Sequence, residues 1–503
     1  MRKSGILMPV FSLPSKYGIG TLGKEAENFI DFLKKAGQSY WQILPLNPTN
    51  YGDSPYQSFS SSAGNPYFID LDILSDEGLL LKEEYENVDF GENPYSVDYG
   101  KLYENRLNVL GIAFSRWSPN KNYEEFSKEE GYWLDEYALF MALKDAFGGA
   151  AWYTWERDLK FRHTEAIEKA KQDYKKRIDF HKFVQFKFFE QWLRLKKYAN
   201  DNGIEIIGDM PIYVAYDSAD VWSNTECFDL DKDLTPKSVA GTPPDAFSKD
   251  GQLWGSPLYR WNYMAKEEKP YSFWINRMKS AFQIYDVVRI DHFRGFESYY
   301  AIKYGSETAK DGVWKKGPSM KLFRALKKEF GENLPIIAED LGFLTKEVKK
   351  LLKDSGFPGM KVLQFAFDSR EESDYLPHNY DKNCIVYTGT HDNDTVMGWI
   401  KSAPPADVAF AERYLGAKAE SGFNWAFIKS AMMSVADTAI FMMPDFIGLD
   451  ESGRINTPST LGGNNWKWRI DGACINDWLA QIIYDLTETY GRIPKETKKE
   501  VGD

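Results

Sequence analysis

Short apolar runs recur along the chain, and most of them are separated by amphipathic segments with helical spacing. The runs are continuous rather than alternating, as is typical of parallel strands buried on both faces. Eight strands are predicted, at 5–10, 40–46, 204–207, 286–290, 335–338, 361–367, 384–387 and 438–443. Eight strand–helix repeats predict an α/β fold, the (β/α)8 TIM barrel.

Two of the gaps between predicted strands are too long for a single crossover helix. Helices are predicted at 24–36, 102–117, 133–147, 164–174, 183–200, 273–282, 320–330, 345–354, 425–436 and 475–490. Four of these fall within residues 47–203, which therefore read as a mostly helical subdomain inserted between strands two and three. Residues 210–285, rich in Pro, Trp, Tyr and Asp, read as a lid or loop subdomain between strands three and four. We expect one barrel domain over 1–503, with these two insertions.

Composition restricts the class of partner. The 503 residues include 62 Lys and Arg against 74 Asp and Glu, a net charge of −12, which disfavours nucleic acid and membrane surfaces. Three separated cysteines, Cys227, Cys384 and Cys474, suit reduced thiols and a cytoplasmic location. Pro9 interrupts the apolar start, so we expect no secretory leader, and no run reaches the ~20 apolar residues of a membrane span.

Two local motifs suggest other chemistries. Residues 18–23 match G-x-G-x-x-G, a nicotinamide-dinucleotide fingerprint, so an oxidoreductase is one alternative. However, seven residues separate these glycines from the preceding strand, and the next strand lacks the acidic residue that binds ribose. Residues 229–233 begin like a calcium loop, but Leu234 replaces the glycine and Ala240 the terminal glutamate. We expect a turn and a solvated acidic loop at these places, and no metal site.

Acidic residues follow the predicted ends of several strands. They are Asp209, Asp291, Glu339 and Asp392. In a parallel barrel these positions meet at one rim, where catalytic groups lie. Carboxylates with Arg289 and His391 beside them, and no metal motif, suit glycosidic-bond chemistry. The 16 Trp and 30 Tyr, many of them in loops, could stack on sugar faces.

Longer motifs resemble the amylomaltase family, the 4-α-glucanotransferases or disproportionating enzymes, which are related to the α-amylases. The resemblance covers essentially the whole chain and rests on residues 53–58 (DSPYQS), 208–214 (GDMPIYV), 251–257 (GQLWGSP), 288–295 (VRIDHFRG), 338–342 (AEDLG), 387–393 (YTGTHDN) and 464–469 (NNWKWR). It implies transfer of an α-1,4-glucan segment to glucose or a maltooligosaccharide by a retaining double displacement. The substrates implied are maltooligosaccharides, amylose and glucans derived from starch or glycogen, in carbohydrate metabolism.

The same resemblance implies roles for individual residues. Asp291 would be the nucleophile, Glu339 the general acid and base, and Asp392 the stabiliser of the transition state. Substrate-binding residues would be Ser54, Tyr56, Tyr99, Asp209, Gln252, Trp254, Arg289, His391 and Asn456. Arg289 would keep Asp291 ionised. The family needs no metal or organic cofactor and has no C-terminal β-sandwich. The chain departs from several members at Ala246, where they have an aromatic residue.

Two further functions use similar residues. An α-amylase-like hydrolase would have the same three carboxylates, with water in place of the acceptor sugar. A non-enzymatic glucan-binding protein would need the aromatic loops but not three acids at strand ends. The intact acids argue against the second alternative, whereas composition does not separate transfer from hydrolysis.

Overall fold

The fold comes from a computed structural model that describes residues 2–50, 52–244, 248–342, 344–420 and 422–494. Its strands are β1 Lys3–Leu7, β2 Tyr40–Gln42, β3 Glu205–Met210, β4 Ser238–Thr242, β5 Gln252–Pro257, β6 Val287–Ile290, β7 Ser298–Lys303, β8 Val313–Lys316, β9 Ile336–Ala338, β10 Gly359–Val362, β11 Cys384–Tyr387 and β12 Thr438–Met442. Eight of them form a parallel sheet in the order β10-β11-β12-β1-β2-β3-β6-β9.

This parallel sheet curves into a nearly closed barrel. Its outer strands, β9 and β10, meet where the Ala338 N–H donates to the Pro358 carbonyl at 3.0 Å. Strand residues such as Ile6, Val288 and Ile440 are fully buried, because the barrel interior covers one face of each strand and the helices cover the other. The predicted (β/α)8 barrel and its eight strands are confirmed.

Helices surround the barrel and fill the long connections. They are α1 Lys24–Lys35, α2 Leu71–Asp76, α3 Tyr99–Arg116, α4 Lys121–Glu129, α5 Gly131–Ala146, α6 Arg157–Lys160, α7 Thr164–Asp173, α8 Lys175–Asp201, α9 Ala219–Ser223, α10 Trp261–Met264, α11 Ser272–Ile284, α12 Met320–Phe330, α13 Lys346–Ser355, α14 Val396–Ser402, α15 Pro405–Leu415, α16 Phe423–Met433, α17 Met443–Phe446 and α18 Asp477–Thr489. Among the described residues, none of these helices has the length and apolar character needed to span a bilayer. The described residues after β12 form helices and loops but no β-sandwich.

The sixth barrel strand ends earlier than the apolar pattern predicts. The run at 361–367 continues past Val362, but residues Leu363–Ala366 form a 3-10 turn. Gln364 lies in that turn and donates from Nε2 to the Asp394 carbonyl at 2.7 Å. The strand therefore ends just before Gln364, which makes this polar contact at the rim.

A second, antiparallel sheet was not predicted. Its order is β5-β4-β7-β8, so it joins part of the insertion after β3 to the connection after β6. The pattern gave no signal because all four residues of β8 are exposed and β5 contains Gly255 and Pro257. This sheet includes part of the segment that follows β6, and that segment begins at the rim where the acidic residues lie.

Candidate active site

The backbone brings the predicted acids to one end of the barrel. Asp209 in β3 is the register partner of Arg289 in β6. Beyond the strands, the Asp291 N–H donates to the Met210 carbonyl and the Glu339 N–H to the Ile290 carbonyl, each at 3.0 Å. The parallel ladder thus continues one step past the strand ends and fixes the relative height of these carboxylates.

Arg289 lies at the centre of the acidic cluster. Its Nη1 donates to both Asp209 oxygens, at 2.8 and 2.6 Å, and its Nη2 lies 3.1 Å from Asp291 Oδ1. Arg289 and Asp209 are buried, at 3% and 2% exposure. Burial alone would lower the pKa of Arg289, but the charges of Asp209 and Asp291 outweigh it and raise that pKa well above its ordinary range. The guanidinium is therefore a permanent charge beneath Asp291.

The pKa values of Asp291 and Glu339 are both raised. Burial at the barrel mouth, where 30% of the Asp291 side chain stays exposed, raises the pKa of Asp291 to about 8, against the opposing effect of Arg289 and with added repulsion from Glu339. Burial also raises the pKa of Glu339, although Arg289 and two backbone N–H groups oppose the rise. Arg289 Nη2, 3.1 Å from Asp291, lowers the pKa of that carboxyl in the expected direction, but burial has the larger effect.

The Glu339 carboxylate is held by backbone donors. His292 N–H donates to Oε2 at 2.7 Å and Leu341 N–H to Oε1 at 2.8 Å. His292 has a left-handed backbone, with φ of 53°, directly after Asp291. Its ring packs edge-on against Trp254 at 4.9 Å, and Trp254 Nε1 donates to Gln252 Oε1 at 3.1 Å. The predicted Gln252 and Trp254 are thereby connected to Glu339.

Asp392 lies in the loop after β11, with 46% of its side chain exposed. Asn456 Nδ2 donates to Asp392 Oδ1 at 2.6 Å, and His391 Nε2 lies 3.5 Å from Oδ2. The His391 ring stacks on Tyr56 with centroids 5.1 Å apart, and burial lowers the pKa of His391, which keeps the imidazole neutral at neutral pH. Tyr56 in turn donates to Asp209 Oδ2 at 2.7 Å. These contacts form one connected network.

The remaining predicted residues lie behind this network. Ser54 Oγ accepts the Tyr56 N–H at 3.3 Å, and Tyr99 Oη donates to the Trp466 carbonyl at 2.8 Å. Trp466 packs near both Tyr56 and His391, at 5.7 and 6.0 Å. Ala246 is outside the described residues. All twelve predicted site residues therefore belong to one network, in which each contacts another member directly or through one intermediate residue.

Three contributors were missed as site residues by the sequence argument. They are His292 and Leu341, which act through backbone N–H groups, and Arg454, whose Nη2 donates to the Asp392 carbonyl at 3.3 Å. Side-chain chemistry gives no signal for a backbone donor. His292 was nevertheless visible within the 288–295 motif, next to the nucleophile candidate.

No group of three or more His, Cys, Asp or Glu side chains is arranged to hold a metal ion in the described part of the chain. The expected absence of a metal or cofactor remains a prediction.

Removing the Tyr56 hydroxyl distinguishes the contribution of its hydrogen bond to Asp209 from that of its ring stacking on His391. In Tyr56→Phe the ring can still stack on His391, while Asp209 keeps Arg289 as partner. A hydrogen bond to a charged group contributes ~1.5–3 kcal/mol, so we expect kcat/KM to fall by roughly 10- to 150-fold. Tyr56→Ala, which also loses the ring, should fall further. Equal losses in the two variants would show that the ring contributes nothing.

Comparison with known proteins gives a consistent assignment. The profile of a family described as 4-alpha-glucanotransferase matches residues 8–475. A 4-alpha-glucanotransferase of Clostridium butyricum is 50% identical over 489 residues, covering 96% of this chain and 100% of that protein. The chloroplastic/amyloplastic 4-alpha-glucanotransferase of Solanum tuberosum is 41% identical over 509 residues, covering 98% of this chain and 87% of that protein.

A solved structure agrees with the same assignment. The amylomaltase from Streptococcus agalactiae in complex with acarbose superposes with a TM-score of 0.94 at 42% identity, over 98% of this chain and 100% of that one. The fold and the rim of carboxylates define an α/β-barrel enzyme. The chain belongs to the 4-alpha-glucanotransferase family. The resemblance to the amylomaltases inferred from the motifs is confirmed.

Proposed function

We propose that the protein is a 4-α-glucanotransferase that moves a segment of an α-1,4-glucan to glucose or a maltooligosaccharide with retention. The observation that carries this proposal is the placement of Asp291 and Glu339 directly after two neighbouring barrel strands, beside the Arg289–Asp209 ion pair. Two carboxyl groups at one rim can supply what a retaining mechanism needs, namely one carboxylate to attack and one carboxylic acid to protonate the leaving oxygen.

In the first step, Glu339 protonates the glycosidic oxygen while the Asp291 carboxylate attacks the anomeric carbon. The bond from that carbon to oxygen breaks as an ester to Asp291 forms. Asp392, held by Asn456, offsets the positive charge that develops on the sugar ring. The ionised Glu339 then removes the proton from the acceptor hydroxyl, whose oxygen attacks the anomeric carbon. The bond from that carbon to the Asp291 oxygen breaks and releases the Asp291 carboxylate.

Transfer competes with hydrolysis for the same ester intermediate. An acceptor sugar reacts in preference to ~55 M water only if a formed subsite gives it a high effective concentration. Trp254, beside His292, is suited to bind the acceptor by stacking. The alternative is an α-amylase-like hydrolase, in which water enters instead.

Incubation with maltotriose tests the proposal. Transfer redistributes chain lengths into glucose and longer oligosaccharides while the number of reducing ends stays constant. Hydrolysis adds one reducing end for each bond cleaved. Products resolved by length, together with a reducing-end assay and proton NMR of the first-formed anomer, decide both questions. Reducing ends that rise in step with maltotriose consumption would identify a hydrolase, and a β-configured first product would exclude retention.

The two carboxyl groups predict a bell-shaped dependence of kcat/KM on pH. Activity requires Asp291 ionised and Glu339 protonated. Below the optimum a proton on Asp291 neutralises the nucleophile, and above it Glu339, whose pKa burial also raises, loses the proton that the leaving oxygen needs. A rate measured with maltotriose that keeps rising beyond pH 9 would contradict this assignment.

The same shift predicts a pH dependence of stability. The pKa of Asp291 is raised from 3.8 to about 8, so the folded protein binds more protons than the unfolded chain between these values. The contribution of this group to stability therefore falls as pH rises from about 4 to about 8. Melting temperatures of wild type and Asp291→Asn should diverge over that interval, with the variant less sensitive.

The remaining assignments are part of the same proposal. Substrates are maltooligosaccharides, amylose and glucans from starch or glycogen, with glucose as an acceptor and no cofactor. Net charge −12 argues against nucleic acid and membranes as partners, and the cysteine pattern favours the cytoplasm. The protein would act in carbohydrate metabolism as one barrel domain over 1–503, with subdomains inserted at 47–203 and 210–285.

A further inference from the structure

One buried side chain contacts both ends of the loop that carries His391 and Asp392. This loop joins β11 to α14. Asp445, in the turn after β12, accepts a hydrogen bond from Thr388 Oγ1 to Oδ2 at 2.6 Å and one from the Val396 N–H to Oδ1 at 2.8 Å. Thr388 is the first residue after β11, and Val396 is the first of α14.

Asp445 occupies an unfavourable place for a carboxylate. It is 1% exposed. Burial raises its pKa to about 6, although the hydrogen bonds from Thr388 and Val396 oppose the rise. The Asp445 carboxyl has no role in the double displacement proposed above. A buried charge at this cost is consistent with a positional requirement that an apolar side chain cannot meet.

The position of Asp445 is itself fixed. Its backbone carbonyl accepts a hydrogen bond from Asn424 Nδ2 at 2.7 Å, which connects α17 to α16. The two donors on the loop therefore meet an acceptor held by the barrel scaffold. The ends of the loop cannot shift relative to β12 without breaking one of these bonds.

Contacts in the middle of the loop depend on where its ends lie. Gln364 binds the Asp394 carbonyl, and Asn456 binds the Asp392 carboxylate at 2.6 Å. Each of these partners comes from a different connection of the barrel. Gln364 and Asn456 can both contact the loop only when the loop lies at one position relative to the barrel strands.

We infer that Asp445 is a positioning residue for Asp392, because it fixes both ends of the catalytic loop. The inference rests on the proposed role of Asp392 in stabilising the transition state. Displacing a catalytic group by ~1 Å can cost ~10²-fold in rate. The loss should fall on binding of the developing positive charge rather than on binding of the neutral glucan.

Four variants test this inference. Asp445→Ala leaves both donors without partners, so we expect kcat to fall ~10²-fold while KM for maltotriose changes little. Asp445→Asn can accept from Val396 through Oδ1 and donate to Thr388 through Nδ2, and should keep most of the activity. Thr388→Val removes one contact and should have an intermediate effect. Asp407→Ala is the matched control, because Asp407 is a buried acid on α15 that caps the Ser369 N–H at 2.9 Å, away from this loop.

A charged ligand distinguishes positioning from general damage. The inhibition constant of a protonated imino sugar, which mimics the developing positive charge, should rise in Asp445→Ala in step with the fall in kcat/KM. The affinity for neutral maltotriose should stay near the wild-type value. In the double variant with Thr388→Val, no further loss is expected, because both substitutions break the same contact.

Several outcomes would overturn the inference. One is a folded Asp445→Ala variant with kcat within ~threefold of wild type, well short of the ~10²-fold expected from misplacement. Another is an equal loss of affinity for the charged and the neutral ligand, or an equal loss of kcat in Asp407→Ala. If Asp445→Ala does not fold, Thr388→Val decides, and a wild-type kcat there refutes the inference. Absence of transfer in the wild type would instead refute the proposed function.

Discussion

Asp291→Asn should reduce transfer from maltotriose by roughly 10⁴–10⁶-fold, because the amide cannot form the ester on which both steps depend. The fold should persist, since Arg289 keeps both oxygens of Asp209. Asp286→Asn is a matched control. Asp286 lies at the opposite end of the same strand, where it accepts the Ile206 N–H at 2.8 Å, and its substitution should leave kcat unchanged.

Covalent labelling makes this prediction direct. A fluorinated glycosyl fluoride that forms the ester but hydrolyses slowly should label the wild type at Asp291, as identified by peptide mass spectrometry. Asp291→Asn should remain unlabelled, whereas Asp286→Asn should be labelled like the wild type. A label on Glu339 or Asp392 would show that the nucleophile has been misassigned.

Glu339→Gln should reduce kcat with maltotriose by ~10²–10⁴-fold, because the amide can neither protonate the leaving oxygen nor deprotonate the acceptor. The amide oxygen can accept from only one of the His292 and Leu341 N–H groups, which contact Oε2 and Oε1 of Glu339, so the melting temperature of the variant should be compared with that of the wild type. A maltosyl fluoride needs no proton to leave and should still form the ester. Azide needs no base and should then release it, giving an α-glycosyl azide. The alkaline limb of the pH profile should disappear.

The anomeric configuration of the azide product separates the two carboxylates. In Glu339→Gln the azide attacks the Asp291 ester, so the α configuration is retained. In Asp291→Asn azide can only take the place of the missing nucleophile, and the product should be β. A loss of rate in Glu339→Gln that is the same for maltosyl fluoride and maltotriose would contradict its role as acid.

The barrel could be predicted because each of its strands is buried on both faces and leaves a continuous apolar run. The second sheet could not, since β8 is wholly exposed and leaves no such run. The bounds of the helices also differ from the prediction. The pattern placed one helix at 183–200, but α8 begins at Lys175, and its added turns bury Ile178 and His181.

The residues of the candidate site could be predicted, but the contacts between them could not. The strand-end rule found the acids, and the family motifs supplied the aromatic and amide residues. The pairing of Arg289 with Asp209, 80 residues away, follows from the register of β3 against β6, which no local pattern encodes. The contact of Asn456 with Asp392 likewise crosses 64 residues. The raised pKa of Asp291 could not be foreseen either, because it depends mainly on how deeply the folded barrel buries this carboxyl, with Arg289 opposing the rise.

The left-handed backbone of His292 limits which amino acids a mutational library could recover at this position. With φ of 53°, β-branched side chains are disfavoured, while glycine, asparagine and aspartate are tolerated. Yet each of these would lose the ring that packs on Trp254 at 4.9 Å. The backbone conformation thus favours small residues at this position, whereas the contact with Trp254 favours a ring. Libraries screened for thermal stability and for acceptor use should therefore enrich different replacements there.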